Sequence, residues 1–382
     1  AMKRQTFCFA YEPLGAAQRA APKRSARLSS RGEPVRSGRL RHRAALRPEY
    51  EHGACERTRR LAIRAALDGA DGGGNGVLGR STAEDLGSEE LAALAEEARA
   101  GTVAGTTEYV LRMRSLHGEL SRVEQRPLLW ELIQDEAAGI AASEPALASF
   151  VHAAILNHSS LADAAAFMVA LKLRDPNTPS AVLFELAREG FAECTLTRCN
   201  EQAMQLDLLA VMQRDPACLR FADALLYFKG FHALCAYRVS HYLWAHQNRR
   251  QLALYIQSRA SRKLHVDIHP AAKVGPGAFI DHATAVVIGE TAELGNNVSM
   301  LHRVTLGGAG TFHGKRHPTV EQGANLGAGA TLLGNITVGE YAQVGACSLV
   351  FTDVDPHATI VGVPAKQVRL RPQEKSVSQD GL

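Results

Sequence analysis

From Leu128 to about His265 the apolar residues recur every three or four positions, as in Leu183, Leu186 and Ala187 ahead of Gly190, and Asp-Pro pairs at 175–176 and 215–216 break the run. That spacing puts an apolar stripe on each of several helices and predicts a helical domain. At Val266 the pattern changes. Ile268, Val274, Ile280, Val286, Ala292, Val298 and Val304 fall in one register of six, and Val320, Leu326, Leu332, Val338, Val344 and Val350 fall in another. A period of six predicts a prism-like solenoid, with three short strands per coil, one inward aliphatic residue on each face and small residues at the corners. Gly275, Gly327, Gly339 and Gly345 directly follow inward positions, where a Cβ would crowd such a corner. A sandwich is a poor match, because its strands alternate with period two and need longer turns. The step from Val304 to Val320 is sixteen residues, not a multiple of six, so a loop is extruded there. That loop, GGAGTFHGKRHPT, holds His313, Lys315, Arg316 and His317, and a polar, basic loop on a regular scaffold is a natural seat of function.

Outside these two patterned regions the chain is simpler. The stretch DGADGGGNGVLG at 68–79 is too rich in glycine to hold a helix and reads as a linker, and a short helix capped by Ser88 is expected soon after it. The resulting division is a basic segment and Gly-rich linker at 1–80, a variable helical extension at 81–126, a helical domain at 127–265, a hexapeptide-repeat domain at 266–369 and a polar, flexible tail at 370–382. A length of 382 residues suits two domains with additions.

Charge is unevenly spread. The net charge is +4, yet residues 1–48 hold twelve Lys and Arg against Glu12 and Glu33 alone, leaving the remainder at −6. A mildly acidic folded part argues against a nucleic-acid partner. The basic, Ser-containing, acid-poor start has the composition of an organelle transit peptide, expected to address a plastid, with mitochondrion or cytosol as alternatives; a basic arm that stays attached has the same composition. Stretches free of charged residues, at 145–162 and 322–339, are broken by Ser, Asn and His or by glycines, so no membrane association is expected. The seven cysteines, Cys8, Cys55, Cys194, Cys199, Cys218, Cys235 and Cys347, contain no C-x-x-C pair and read as free thiols, not as a disulfide framework or a zinc site.

Several segments together are specific. RDPA at 214–217, LLYFKGFHALCAYRVSHYLW at 225–244, VDIHPAAKVG at 266–275, DHATAVVIGETA at 281–292, VTLGG at 304–308 and KRHPTV at 315–320 resemble the serine O-acetyltransferase family, from about Leu128 to Arg369. The resemblance implies an α+β chain, an all-α domain followed by a left-handed parallel β-helix with a protruding loop. It also implies transfer of an acetyl group from acetyl-CoA, the co-substrate, to the hydroxyl of L-serine, the first step of cysteine synthesis from serine, with no metal. An alkyl hydroxyl needs a base within hydrogen-bond reach, and histidine, with an ordinary pKa near 6.5, suits that task. By resemblance His282 is the base and Asp267 orients its ring; their fifteen-residue separation, three short of an eighteen-residue coil, lets them face each other across neighbouring coils. Asp215 and Asp281 are then expected at the serine ammonium, Arg316 at its carboxylate, and His317 near the hydroxyl. Plainer readings stand beside these: Asp215 as a turn residue before Pro216, and His317 and His282 as surface loop histidines.

CoA is expected along the solenoid, at Gly307, Gly308, Ala328 and Ala346. Gln343 stands where bacterial relatives often have lysine, and His302 fits either that region or a strand edge. The aromatic residues Phe221, Tyr227, Phe228, Phe231, Tyr237, Tyr242 and Trp244 read as a helical packing face. Family members form trimers, often paired, so a homotrimer or dimer of trimers with sites between subunits is implied. The tail ends in Leu382, where the family usually has isoleucine, and docking of O-acetylserine sulfhydrylase there is a further expectation. Competing readings are a hexapeptide acyltransferase for a sugar or amine, an inactive regulatory subunit of a cysteine synthase complex, and a γ-type carbonic anhydrase using His282, His302, His313 and His317 on zinc.

Overall fold

Ser160 begins one of the central helices by accepting the Asp163 N–H at 3.1 Å, and Asp-Pro pairs follow the end of that helix and of the one ending at Arg214, since proline disfavours helical geometry in the residue before it. The structure, a computed structural model, describes residues 107–115, 120–121, 126–192, 199–310 and 313–370. The transit-type segment, the linker, the Ser88 helix and the tail from 371 lie outside the described residues, as do Cys8, Cys55 and Cys194. The helices run α1 (Thr107–Ser115), α2 (Arg126–Ser143), α3 (Ala148–Val151, continuing into a π-turn at His152–Leu156), α4 (Leu161–Leu173), α5 (Ser180–Ala192), α6 (Asn200–Arg214), α7 (Phe221–Tyr227), α8 (Lys229–Ala245) and α9 (Arg250–Leu264). Helix α9 stops at His265 in the left-handed conformation, φ 56°, and the next residue opens the first strand. Among the described residues no helix is long and apolar enough to cross a membrane.

The strands are β1 (Val266–Ile268), β2 (Lys273–Val274), β3 (Phe279–Ile280), β4 (Val286–Ile288), β5 (Glu293–Leu294), β6 (Ser299–Met300), β7 (Thr305–Gly307), β8 (Thr319–Val320), β9 (Asn325–Leu326), β10 (Thr331–Leu333), β11 (Thr337–Val338), β12 (Gln343–Val344), β13 (Leu349–Val350), β14 (Ala358–Gly362) and β15 (Ala365–Leu370). They form a parallel β-solenoid with three faces: β1-β4-β7-β10-β13, β2-β5-β8-β11, and β3-β6-β9-β12-β14 with β15 added antiparallel. Of the thirteen inward positions expected from the hexads, twelve are buried and Val274 is half-buried. At the corners the coils touch through backbone; a Cβ at Gly327 would stand 2.6 Å from the amide nitrogen of Ala346.

The register shows a departure that counting in sixes conceals. Paired residues form three internal stacks: Ile268–Ile288–Leu306–Leu332–Val350, Val274–Leu294–Val320–Val338–Val354 and Ile280–Met300–Leu326–Val344–Ile360. Followed along the chain, members of these stacks are six residues apart except at three places. The step from Ile280 to Ile288 has two extra residues, that from Leu306 to Val320 has eight extra, and that from Val350 to Val354 has two fewer. The hexad count runs through the first insertion because Val286 and Ile288 are both aliphatic and both buried.

The helices are fastened to the solenoid by buried polar groups. Arg238 on α8 donates to both carboxylate oxygens of Asp207 on α6, at 2.6 and 2.7 Å, and to the Gly275 carbonyl at 3.2 Å; Asp207 also accepts the Ala278 N–H at 2.9 Å. Tyr237 donates to the Ala272 carbonyl at 2.6 Å and accepts the Val274 N–H at 3.1 Å. Of the aromatic set, Phe221, Phe231, Tyr237 and Tyr242 are buried and Phe228 and Trp244 partly so; Tyr227 is exposed.

Candidate active site

The two insertions in the stacks fall at the two corners flanking one face of the solenoid. The first corner, Asp281–Ala285, joins β3 to β4. Here Ala283 N–H bonds to Asp281 O at 2.6 Å and Thr284 N–H to His282 O at 2.7 Å, and His282, Ala283 and Ala285 all have positive φ, 55°, 58° and 62°. Left-handed backbone costs a non-glycine residue about 1 kcal/mol or more, and such strain gathers where a side chain must be aimed. The His282 side chain is 73% exposed; its Nε2 lies 3.6 Å from Asp281 Oδ2, and its ring stands edge-on to His302 at 5.8 Å. As the ring stands it meets Asp281 and not Asp267, whose Oδ1 accepts from Gln257 Nε2 at 2.6 Å. The expected approach across an eighteen-residue coil does not apply here, because Asp267 sits opposite Val287 and this coil is twenty residues long.

Helical elements are docked on this corner. Helix α8 begins against β3, where Gly230 touches the Ile280 backbone, and Lys229 donates to the Thr284 hydroxyl. Arg214, the last residue of α6, donates to the carbonyls of Gly277 (3.0 Å) and Asn297 (3.2 Å) and to Ser299 Oγ (3.1 Å), holding the following Asp215 against the same end of the solenoid. Asp215 Oδ1 accepts the Ala217 N–H at 2.8 Å, so it does form the turn before α7. Along the corner, backbone bonds link Thr284 to Arg303, His302 to Gly329 and Ala328 to Cys347, which places Ala328 and Ala346 in one column above His302. His302 Nδ1 is buried with no hydrogen-bond partner.

At the second corner the loop extruded between β7 and β8 folds back onto the β4–β5 turn of the preceding coil. Arg316 Nη2 donates to Glu290 Oε2 at 2.5 Å, which holds the Glu290 carboxyl below its ordinary range. Lys315 Nζ donates to the Thr291 carbonyl at 2.8 Å. The Thr291 hydroxyl meets the N–H groups of Arg316 and His317 at 3.0 and 3.1 Å, and His317 Nδ1 at 2.8 Å. His317 is a buried residue, not a surface loop histidine; burial, then the neighbouring Arg316 charge, lowers its pKa below the usual histidine value. Its ring lies on Gly289, where a Cβ would be 2.0 Å from Nε2, and beside Gly308, at 3.2 Å. Gly307 and Gly308 therefore belong to this corner, Ala328 and Ala346 to the other. Gln343 accepts from Asn325 at 3.2 Å.

Glu290 and Thr291 were not singled out from the sequence. The signal was the GET triplet following Ile288, but their partners are 24 to 26 residues away, a separation set by the loop. From Val286 to Gly289 is three residues of strand, about 10 Å, so His282 and His317 stand at opposite edges of the face. Among the described residues no group of three or more His, Cys, Asp or Glu is gathered to hold a metal ion, and His282 and His302 share one corner while His317 sits at the other.

Comparison with known proteins gives this geometry a family. A family model described as serine acetyltransferase, N-terminal, matches residues 129–236. Serine acetyltransferase of Escherichia coli K12 is 46% identical over 257 residues, 67% of this chain and 92% of that protein. The chain belongs to the serine acetyltransferase family. It is thus an acyltransferase. Serine acetyltransferase 3, mitochondrial, of Arabidopsis thaliana is 46% identical over 265 residues, 69% of this chain and 66% of that protein. The solved structure of soybean serine acetyltransferase complexed with serine superposes with a TM-score of 0.61 at 47% identity, covering 65% of this chain and 100% of that one.

Proposed function

We propose that the chain transfers the acetyl group of acetyl-CoA to the hydroxyl of L-serine, giving O-acetyl-L-serine and CoA. The observation that carries this reading is the placement of both stack insertions at the edges of one face, each bearing a group suited to acyl transfer. His282 accepts the serine Oγ proton as Oγ attacks the thioester carbon. The tetrahedral intermediate expels the CoA sulfur, which takes the proton back from His282, so no proton or electron is left over. Asp267 orients the base through the carboxylate oxygen that Gln257 does not hold, once the exposed ring turns from Asp281. Asp215 and Asp281 face the serine ammonium, Arg316 its carboxylate, and His317 the reacting oxygens. The small residues Ala328 and Ala346 above His302, together with Gly307 and Gly308, leave room for the CoA arm.

Because the two corners stand about a strand apart, one site needs the His282 corner of one copy and the Arg316–His317 corner of another. This supports a homotrimer built around the solenoid, alone or as a dimer of trimers. The basic segment before residue 49 supports delivery to a plastid, with a mitochondrion as the alternative, and a fluorescent fusion to that segment locates it. The tail ending in Leu382 is proposed to dock O-acetylserine sulfhydrylase; capture of the sulfhydrylase unchanged by deleting Leu382 counts against it.

The test of the activity is release of free CoA thiol from acetyl-CoA with each common amino acid. Release with L-serine alone, reduced ~10²–10⁴-fold in His282→Ala, is expected. No release with any amino acid from the folded oligomer moves the assignment to another acyl acceptor or to a regulatory subunit.

A further inference from the structure

The hydrogen bonds around Thr291 fix which nitrogen of His317 carries the proton. A threonine hydroxyl has one proton and two lone pairs. Both lone pairs are taken, by the N–H groups of Arg316 at 3.0 Å and His317 at 3.1 Å. The remaining proton points to the third neighbour, His317 Nδ1 at 2.8 Å, which also receives the Thr291 N–H at 3.2 Å. A ring nitrogen that accepts from two donors holds no proton, so the neutral ring carries its hydrogen on Nε2. That nitrogen lies over Gly289 and beside Gly308.

We propose that Thr291 is a positioning residue that locks His317 in its Nε2–H form, so that His317 serves the reaction as a hydrogen-bond donor and not as a second base. This deepens the transferase reading and rests on it. The Nε2–H group would meet the serine Oγ or the thioester oxygen as it gains negative charge, the kind of fixed donor that lowers acyl-transfer barriers. The same hydroxyl holds the backbone of Arg316 and His317, so one side chain sets both the carboxylate-binding group and the donor. The charged and titratable groups facing His317 are Arg316 and Lys315 from its own loop, Glu290 from the β4–β5 corner and His269 from the turn after β1. The Thr291 hydroxyl donates only to neutral His317, so its removal raises the histidine's pKa and moves loss of the neutral form to higher pH.

The experiment compares the full chain with its Thr291→Val and Thr291→Ser variants, measuring L-serine-dependent thiol release across pH and the Nδ1 and Nε2 signals of ¹⁵N-histidine-labelled protein, assigned with His317→Gln. Thr291→Val is expected to lose ~10–100-fold in kcat, as when other ring-orienting partners are removed. It should also raise the KM for serine, leave that for acetyl-CoA unchanged and move the His317 titration read from the ¹⁵N signals to higher pH, while Thr291→Ser restores the rate. A Thr291→Val enzyme with the wild-type rate and the wild-type His317 titration overturns the proposal, as does a Thr291→Ser enzyme equally slow. If the wild-type chain releases no thiol with L-serine, the transferase reading fails instead, and the spectra judge Thr291. An Nε2–H ring in wild type that becomes mixed in Thr291→Val supports the lock, and a mixed ring in wild type refutes it.

Discussion

Gly230 lies directly on the backbone of Ile280: a Cβ on Gly230 would stand 1.9 Å from the Ile280 carbonyl oxygen. Since β3 runs straight into Asp281 and His282, this contact ties the position of the α8 start to the aim of the base. Gly230→Ala must push helix and coil apart. A loss of about 1–3 kcal/mol is expected, as for other overpacked sites, read as a lower denaturant midpoint, together with a fall in kcat. A variant with the wild-type midpoint and rate refutes this coupling.

Asp207 and Arg238 form the buried fastening between helices and solenoid. Removing one partner strands the other's charge, so Asp207→Ala is expected to cost about 3–5 kcal/mol in equilibrium unfolding. An effect below about 1 kcal/mol, the range of exposed pairs, would show that the pair is not sealed from water.

Glu136 gives stability a pH dependence of its own. It accepts from Tyr109 at 2.6 Å and from the Ala222 N–H at 2.8 Å, yet complete burial pushes its carboxyl up from 4.5 to about 7. The folded state therefore holds a proton that the unfolded chain releases between about 4.5 and 7. Stability from this group is full below that window and falls as pH rises through it. Glu136→Gln removes this fall, and urea midpoints measured from pH 5 to 8 should decline less in the variant than in the wild type; equal declines contradict the assignment.

Much of the fold was legible because a six-residue aliphatic period has few three-dimensional solutions. Twelve of thirteen inward residues met that expectation. The two-residue insertion at Asp281–Ala285 escaped notice because Val286 and Ile288 are equally apolar, so the count never faltered. That slip matters for the site. It makes the local coil twenty residues long and removes the sequence argument for a direct Asp267–His282 contact, and Gln257 on α9, from outside the repeat, takes one oxygen of Asp267. His282, Arg316 and His317 are nominated by their motif context, whereas Glu290 and Thr291 become visible only when the loop closes on them.

Arg316 is shared between Glu290 and the proposed serine carboxylate. A lysine has one compact ammonium in place of a planar fork and cannot serve both. Arg316→Lys should raise the KM for serine by ~10-fold or more with a smaller change in kcat, and Glu290→Gln should raise it less. An unchanged serine KM in Arg316→Lys places the carboxylate elsewhere.

The central claim is that His282 and His317 work together across two copies of the chain. His282→Ala and His317→Ala chains carrying different tags are co-expressed, and oligomers holding both tags are purified and assayed for thiol release with L-serine. Each homogeneous variant should be nearly inactive, whereas oligomers holding both tags recover the wild-type rate at about a third of their interfaces as trimers, or about a quarter as dimers of trimers, those where an intact His282 corner meets an intact His317 corner. A mixture no more active than its parents contradicts the shared site.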